Sequence, residues 1–156
     1  MRATTHLQPT TTTALPGQPD PASKPTVLVV ENDPYISAIL WTLLTHFNFK
    51  VVSETSGPVG RQLARSLSPD AVVLDVDLPR MNGLEICRQL KADPQTRALP
   101  VVFCSEQGYL ADEAVEVGAA AFLKMPGEIV KLPDCLSKIL FARPSPYCPK
   151  TRTSLD

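Results

Sequence analysis

Ala71-Val72-Val73-Leu74-Asp75-Val76-Asp77-Leu78-Pro79-Arg80-Met81-Asn82-Gly83 is the stretch that decides how this chain folds. Its first four residues are all apolar, the pattern of a short strand covered on both faces. The run stops at Asp75 and passes through a loop containing Pro79. Gly83 then begins a helix predicted to continue to about Lys91. A buried strand, a loop and a helix in that order form one βα unit of a parallel sheet.

The same unit recurs on either side. Thr26-Val27-Leu28-Val29-Val30 is the first strand, and Asp33-Pro34 opens a helix, with Asp33 suited to cap it and Pro34 to its first position. Ile36, Ile39, Leu40, Leu43, Leu44 and Phe47 recur at helical spacing and predict one buried stripe, with Trp41 beside it, either partly exposed or at the edge of the core. Lys50–Ser53 reads as the second strand. A helix from about Val59 to Ser66 follows, carrying Leu63 and Leu67 on its apolar side. Pro100–Cys104 is the fourth strand, and 107–117 is a helix with Leu110, Ala114 and Val117 on one face. Ala120–Leu123 is a short fifth strand. Leu132, Cys135, Leu136, Ile139 and Leu140 mark the last helix, with Pro133 near its start. Five strands alternating with five helices imply a doubly wound α/β sheet, and right-handed crossovers place helices on both faces.

The 156 residues are 44% hydrophobic and 20% charged, enough apolar material for one core, with a formal net charge of -1. So small a charge argues against binding nucleic acid or an anionic membrane with the whole surface. Residues 1–25 are rich in Thr and Pro with little to bury, and 143–156 are again Pro-rich and polar. Both are expected to be flexible arms around a folded unit of 26–142. Cys87, Cys104, Cys135 and Cys148 form no C-x-x-C pair, and the first three fall in apolar patterns, as buried thiols in a reducing cytoplasm do. No apolar run approaches the roughly 20 residues needed to span a bilayer, and the N-terminus lacks a signal-peptide layout.

In a doubly wound sheet, ligands bind beyond the carboxyl ends of the strands. Glu31-Asn32-Asp33 follow strand one, Asp75 and Asp77 follow strand three, Ser105 follows strand four, and Lys124-Met125-Pro126 follow strand five. Acidic groups gathered at one edge repel one another, and an oxygen-rich set of this kind suits Mg²⁺. Taken singly, Asp33 reads equally as a helix cap and Asp75 as a turn carboxylate bonding its own backbone.

These segments resemble the response-regulator receiver family. Val27-Leu-Val-Val-Glu31-Asn-Asp33-Pro34 looks like its opening, and Ala71 to Gly83 like its phosphoacceptor loop. Pro100-Val-Val-Phe-Cys-Ser105 and Gly118-Ala-Ala-Ala-Phe122-Leu-Lys-Met-Pro126 look like its fourth- and fifth-strand motifs. The likeness covers about three quarters of the chain. It implies a flavodoxin-like (βα)5 sandwich with strand order 2-1-3-4-5, and Asp75 as acceptor of a phosphoryl group from a sensor histidine kinase or phosphotransfer protein. It implies Mg²⁺ held by Glu31, the residue at Asn32, Asp75 and the backbone carbonyl of Asp77, with Asp33 a further candidate. Ser105 matches the hydroxyl that bonds the phosphoryl group, and Phe122 the aromatic switch. As residues in their own right, Ser105 reads equally as a strand-end hydroxyl bonding backbone and Phe122 as a core aromatic.

Two positions depart from the family. Asn32 stands where an acid usually touches the metal, so the site loses a charge and its affinity should fall. Met125 replaces the lysine that pairs with phosphoryl oxygens, and a thioether cannot supply that charge. Lys124 is adjacent, but successive strand side chains point to opposite faces. The peptide bond before Pro126 is compatible with the family's cis form.

The leading expectation is a non-enzymatic phosphoacceptor switch without an output domain on these residues. It would signal to a protein target through its fourth helix, fifth strand and fifth helix, with no nucleic acid or membrane partner. Such domains also pair through exposed helices. A phosphorylation-independent pseudo-receiver is the alternative that Asn32 and Met125 motivate. Asp75-Val76-Asp77 resembles the D-x-D motif of haloacid-dehalogenase phosphatases, but it follows the third strand where that motif follows the first. A flavin carrier would need a phosphate loop where Glu31-Asn32-Asp33 would repel the anion.

Overall fold

A computed structural model describes residues 23–141. The expectations for residues 1–22 and 142–156, including the arms and Cys148, therefore lie outside the described residues. Five parallel strands, β1 (Thr26–Val30), β2 (Lys50–Glu54), β3 (Ala71–Leu74), β4 (Val101–Ser105) and β5 (Ala121–Lys124), form one sheet in the order β2-β1-β3-β4-β5. The intervening helices are α1 (Pro34–His46), α2 (Gly57–Leu67), α3 (Gly83–Ala92), α4 (Ala111–Glu116) and α5 (Leu132–Phe141). This is the expected doubly wound, flavodoxin-like arrangement.

Strand alternation divides the core in two. Leu28, Val30, Val72, Leu74, Val101 and Phe103 point to the face covered by α2, α3 and α4, where Ile86, Leu90 and Ala114 meet them. Val27, Val29, Ala71, Val73, Val102 and Leu123 point the other way, against Leu40 and Leu44 of α1 and Leu132 and Leu136 of α5. Each fully buried Val, Leu, Ile or Phe side chain among them contributes roughly 1.5–3 kcal/mol. The two-sided burial is what the uninterrupted apolar strands require.

α1 begins as its sequence predicts: Asp33 Oδ1 accepts from the backbone N–H of Tyr35 (2.8 Å) and Ile36 (3.0 Å), and Pro34 takes the first turn. Its stripe is narrower than the spacing suggests. Leu40 and Leu44 are buried and Ile36 packs beside them, but Ile39, Phe47 and Trp41 are exposed. Ile39 is one residue from Leu40, about 100° round the helix, beyond the reach of the sheet. The helix expected at 107–117 is instead a 3-10 turn, Gly108–Leu110, followed by the short α4, with no side-chain cap at either start. Gly118, at φ 92, ends it in the left-handed conformation common after helix C-termini. β4 and β5 each run one residue later than expected, because Ser105 pairs with Lys124.

Candidate functional site

The strand register assembles the site. Val30 pairs with Leu74, so the next residues, Glu31 and Asp75, emerge side by side from adjacent strands. Each is anchored by its backbone: Glu31 N–H donates to the Glu54 carbonyl (3.0 Å) and Asp75 N–H to the Val30 carbonyl (3.1 Å). Met125 N–H donates to the Ser105 carbonyl (2.9 Å), continuing the β4–β5 ladder past its last pair. Glu31, Asn32, Asp33, Asp75, Asp77, Ser105 and Met125 all line one cleft of about 270 Å³. The structure thus brings together every expected site residue except Phe122. That side chain lies half-buried on the opposite face of β5, its ring 6.2 Å from that of Phe103.

Burial dominates the electrostatics. Glu31 is buried, and its carboxyl is pushed up to about 7 by desolvation, with the charge of Asp75 adding to the effect. The Asp33 N–H, 2.8 Å from Glu31 Oε1, partly opposes the shift. Asp75 is half-buried, and desolvation raises its pKa as well. Hydrogen bonds from the Ser105 hydroxyl and the N–H groups of Val76 and Asp77 oppose that rise. Val76 N–H lies 2.8 Å from Asp75 Oδ1. The Ser105 oxygen in turn accepts from Gln107 N–H at 3.3 Å. Two desolvated carboxylates facing each other are poised to gain from a cation.

The cleft offers no cation of its own. Its lining holds the acids Glu31, Asp33, Asp75, Asp77 and Glu106 and neither lysine nor arginine. Met125 is buried in it, while Lys124 points to the other side of β5 and lies exposed over Gly108, as strand alternation dictates. The Met125–Pro126 peptide bond is cis.

The donor set fits a hard divalent ion that keeps most of its waters. Among the described residues no group of three His, Cys, Asp or Glu side chains is placed to hold a metal by itself. Asp33 spends one carboxylate oxygen on the helix cap, and Asn32 is exposed at the rim. Two carboxylates, Glu31 and Asp75, remain, with the Asp77 carbonyl and the Asn32 amide oxygen nearby. Mg²⁺ is commonly bound through one or two carboxylates with water completing its shell.

Several contributors went unremarked in the sequence, among them Ile36 and Cys104 in the lining of the cleft. Glu106 and Gln107 line the cleft directly after Ser105, and extending the strand-end rule by one turn would have found them. Gly83 approaches the Asp75 backbone so closely that a Cβ there would overlap the Asp75 carbonyl oxygen.

Comparison with known proteins agrees with this geometry. Residues 27–137 match the family model described as response regulator receiver domain. The chain is 35% identical over 108 residues to the response regulator PleD of Caulobacter vibrioides, covering 68% of this chain and 24% of that protein. It is 29% identical over 110 residues to the DNA-binding dual master transcriptional regulator RpaA of Synechocystis, covering 69% of this chain and 46% of that one. It therefore spans half or less of these relatives. The receiver domain of the sensor histidine kinase PA1611 from Pseudomonas aeruginosa PAO1 was solved with a magnesium ion coordinated in its active-site cleft. It superposes with a TM-score of 0.70 at 19% identity, over 76% of this chain and 99% of that one.

Proposed function

The chain belongs to the response-regulator receiver family, and from that premise we propose that it is a switch whose Asp75 accepts a phosphoryl group from a phosphohistidine of a sensor kinase or phosphotransfer protein. The observation that carries the proposal is the Asp75 carboxylate itself: half-buried, hydrogen-bonded by Ser105 and flanked by Glu31 in an open cleft. In the transfer, a carboxylate oxygen of Asp75 attacks phosphorus. The P–N bond breaks, and the imidazole leaves with that electron pair and takes up a proton. Glu31, Asp75, the Asn32 amide and the Asp77 carbonyl would hold Mg²⁺, which when bound neutralises charge between carboxylate and phosphoryl oxygens. Asp33 stays with the helix cap.

In this reading the Ser105 hydroxyl, which bonds Asp75, leaves that carboxylate for a phosphoryl oxygen. Ser105 and Phe103 stand two residues apart on one face of β4, and Phe103 packs on Phe122. Movement of Ser105 would therefore bear on the Phe122 ring and the surface of α4, β5 and α5, where a downstream protein would read it.

Acetyl phosphate with millimolar Mg²⁺ should add one phosphoryl group, located on Asp75 by mass spectrometry and absent in Asp75→Asn. Beryllofluoride, which mimics the acyl phosphate, should bind the wild type. If both fail, the chain is a phosphorylation-independent binding module, a reading favoured by Met125 in the cleft and Asn32 at its rim.

A further inference from the structure

Between Pro34 and His46 the chain contains no Asp, Glu, Lys or Arg. A helix lying on a sheet normally carries charges on its solvent side. α1 instead exposes Tyr35 (80%), Ile39 (52%) and Trp41 (51%). Contiguous exposed apolar surface of this kind marks an interaction site. We infer that this face of α1 is the interface of a two-fold symmetric dimer of the chain.

The shape of the face suits another helix. Ala38 and Thr42, one turn apart, line two shallow grooves at once. One groove is bounded by Ile39, the other by Trp41. The small pair forms a saddle between taller side chains, the relief that lets helices pack ridge into groove. A two-fold axis through the saddle sets Ala38 and Thr42 against their copies. It also drops each Ile39 and Trp41 into a groove of the other molecule, and such self-complementarity is what an isologous interface requires.

Area and charge select a second copy as the occupant. Large aromatic side chains present roughly 150–250 Å² each, so Tyr35, Trp41 and the smaller Ile39 leave on the order of 350 Å² uncovered. With Ala38, Thr42 and His46 between them, the face reaches roughly 500–600 Å² per partner, the size of a small, reversible interface. A charged partner would find no counter-charge on α1, whereas two copies bring no like charges together, and the whole chain is near neutral at -1.

Sedimentation velocity on the full chain, from about 1 to about 100 μM, should show a monomer–dimer equilibrium. Trp41 is the only tryptophan, so its emission should shift to the blue as dimer forms. Thr42→Arg and Ile39→Glu change solvent-facing positions and should weaken association at least about tenfold, or about 1.4 kcal/mol. Val115→Arg, on the exposed side of α4, should leave it unchanged, as should Asp75→Asn, which separates this interface from the phosphoacceptor reading. Ala38→Cys should cross-link into a covalent dimer under mild oxidation, and Val115→Cys should not. A chain that stays monomeric over the whole range overturns the inference, whether Trp41 is then solvated or shielded by residues 142–156. A dimer insensitive to both α1 variants, or broken by Val115→Arg, overturns it equally.

Discussion

Gly83 lies against the backbone carbonyl of Asp75 with no room for a single added carbon. The Gly83 N–H also donates to the Val76 carbonyl at 2.8 Å, so the first residue of α3 clamps the loop that presents the Asp75 carboxylate. The backbone of Gly83 is not in the left-handed region, which makes the requirement one of space and not of torsion.

Gly83→Ala should therefore displace Asp75 and destabilise the fold by about 1–3 kcal/mol, the usual cost of overpacking. Gly127→Ala is the matched control. A Cβ there meets nothing within 4 Å and φ is not positive, so the change should be neutral or stabilise by up to about 1 kcal/mol. Urea denaturation of both variants decides the matter. Equal midpoints would mean that the loop yields freely around position 83.

Glu31 ties stability to pH. Its carboxyl rises from 4.5 to about 7 in the fold, so the folded chain keeps a proton that the unfolded chain has already lost. Stability from this group is full below about pH 4.5 and disappears as pH climbs through 7, a loss on the order of 3 kcal/mol. Asp75 shifts in the same direction and adds to the trend, and the Asp33 charge opposes ionisation of Glu31. In EDTA the protein should resist urea better at pH 5 than at pH 8. Glu31→Gln should flatten that difference, and Mg²⁺ at pH 8 should recover much of it. A profile in EDTA that is level or rises with pH would contradict the crowding of Glu31 and Asp75.

Cys87 and Cys104 are fixed by burial. Their thiols are pushed up to about 11 and about 12, in each case mainly by desolvation. Alkylation by iodoacetamide at pH 8 should be slower at both by at least about a hundredfold in the folded protein than in urea. Cys104 lines the cleft behind Glu31 and Asp75. Rapid native labelling there, read by peptide mass spectrometry, would reveal a cleft that opens to its floor.

The sheet was legible because each strand is apolar on both faces, a pattern that only a doubly covered strand explains. Asp33 followed by proline marked the start of α1, and Asp75 at the end of a buried strand marked the edge where the cleft lies. Phe47, in line with Leu40, was misplaced because it falls past the end of α1, and Ile39 because helical spacing records which residues share a side. It does not record how wide a side the sheet can cover. On α1, where the outer face is apolar too, the boundary between buried and exposed leaves no trace in the sequence. Gly83 looked like an ordinary helix start, since its closeness to Asp75 arises from how a loop folds back. Lys124 and Met125 were separable in advance, because alternation along β5 lets only one of them face the cleft.

That alternation makes position 125 the most informative site to change. Met125 is buried against a cleft that holds five carboxylates and no basic side chain. An acyl phosphate formed there would add charge with only a bound divalent ion to offset it. Met125→Lys keeps the backbone N–H to Ser105 and can extend an ammonium along the same path, its stem remaining in apolar contact. A charge-assisted hydrogen bond to the phosphoryl group is worth about 1.5 kcal/mol or more, so beryllofluoride should bind roughly tenfold tighter at fixed Mg²⁺. Asn32→Asp acts on the other side of the cleft and should lower the Mg²⁺ concentration at half-saturation. The two changes together should exceed either alone. Lys124→Ala is the control: its side chain lies across β5 over Gly108, so removing it should leave beryllofluoride binding unchanged. A loss on Lys124→Ala with no gain on Met125→Lys would mean that the strand end twists on phosphorylation, carrying Lys124 to the phosphoryl group.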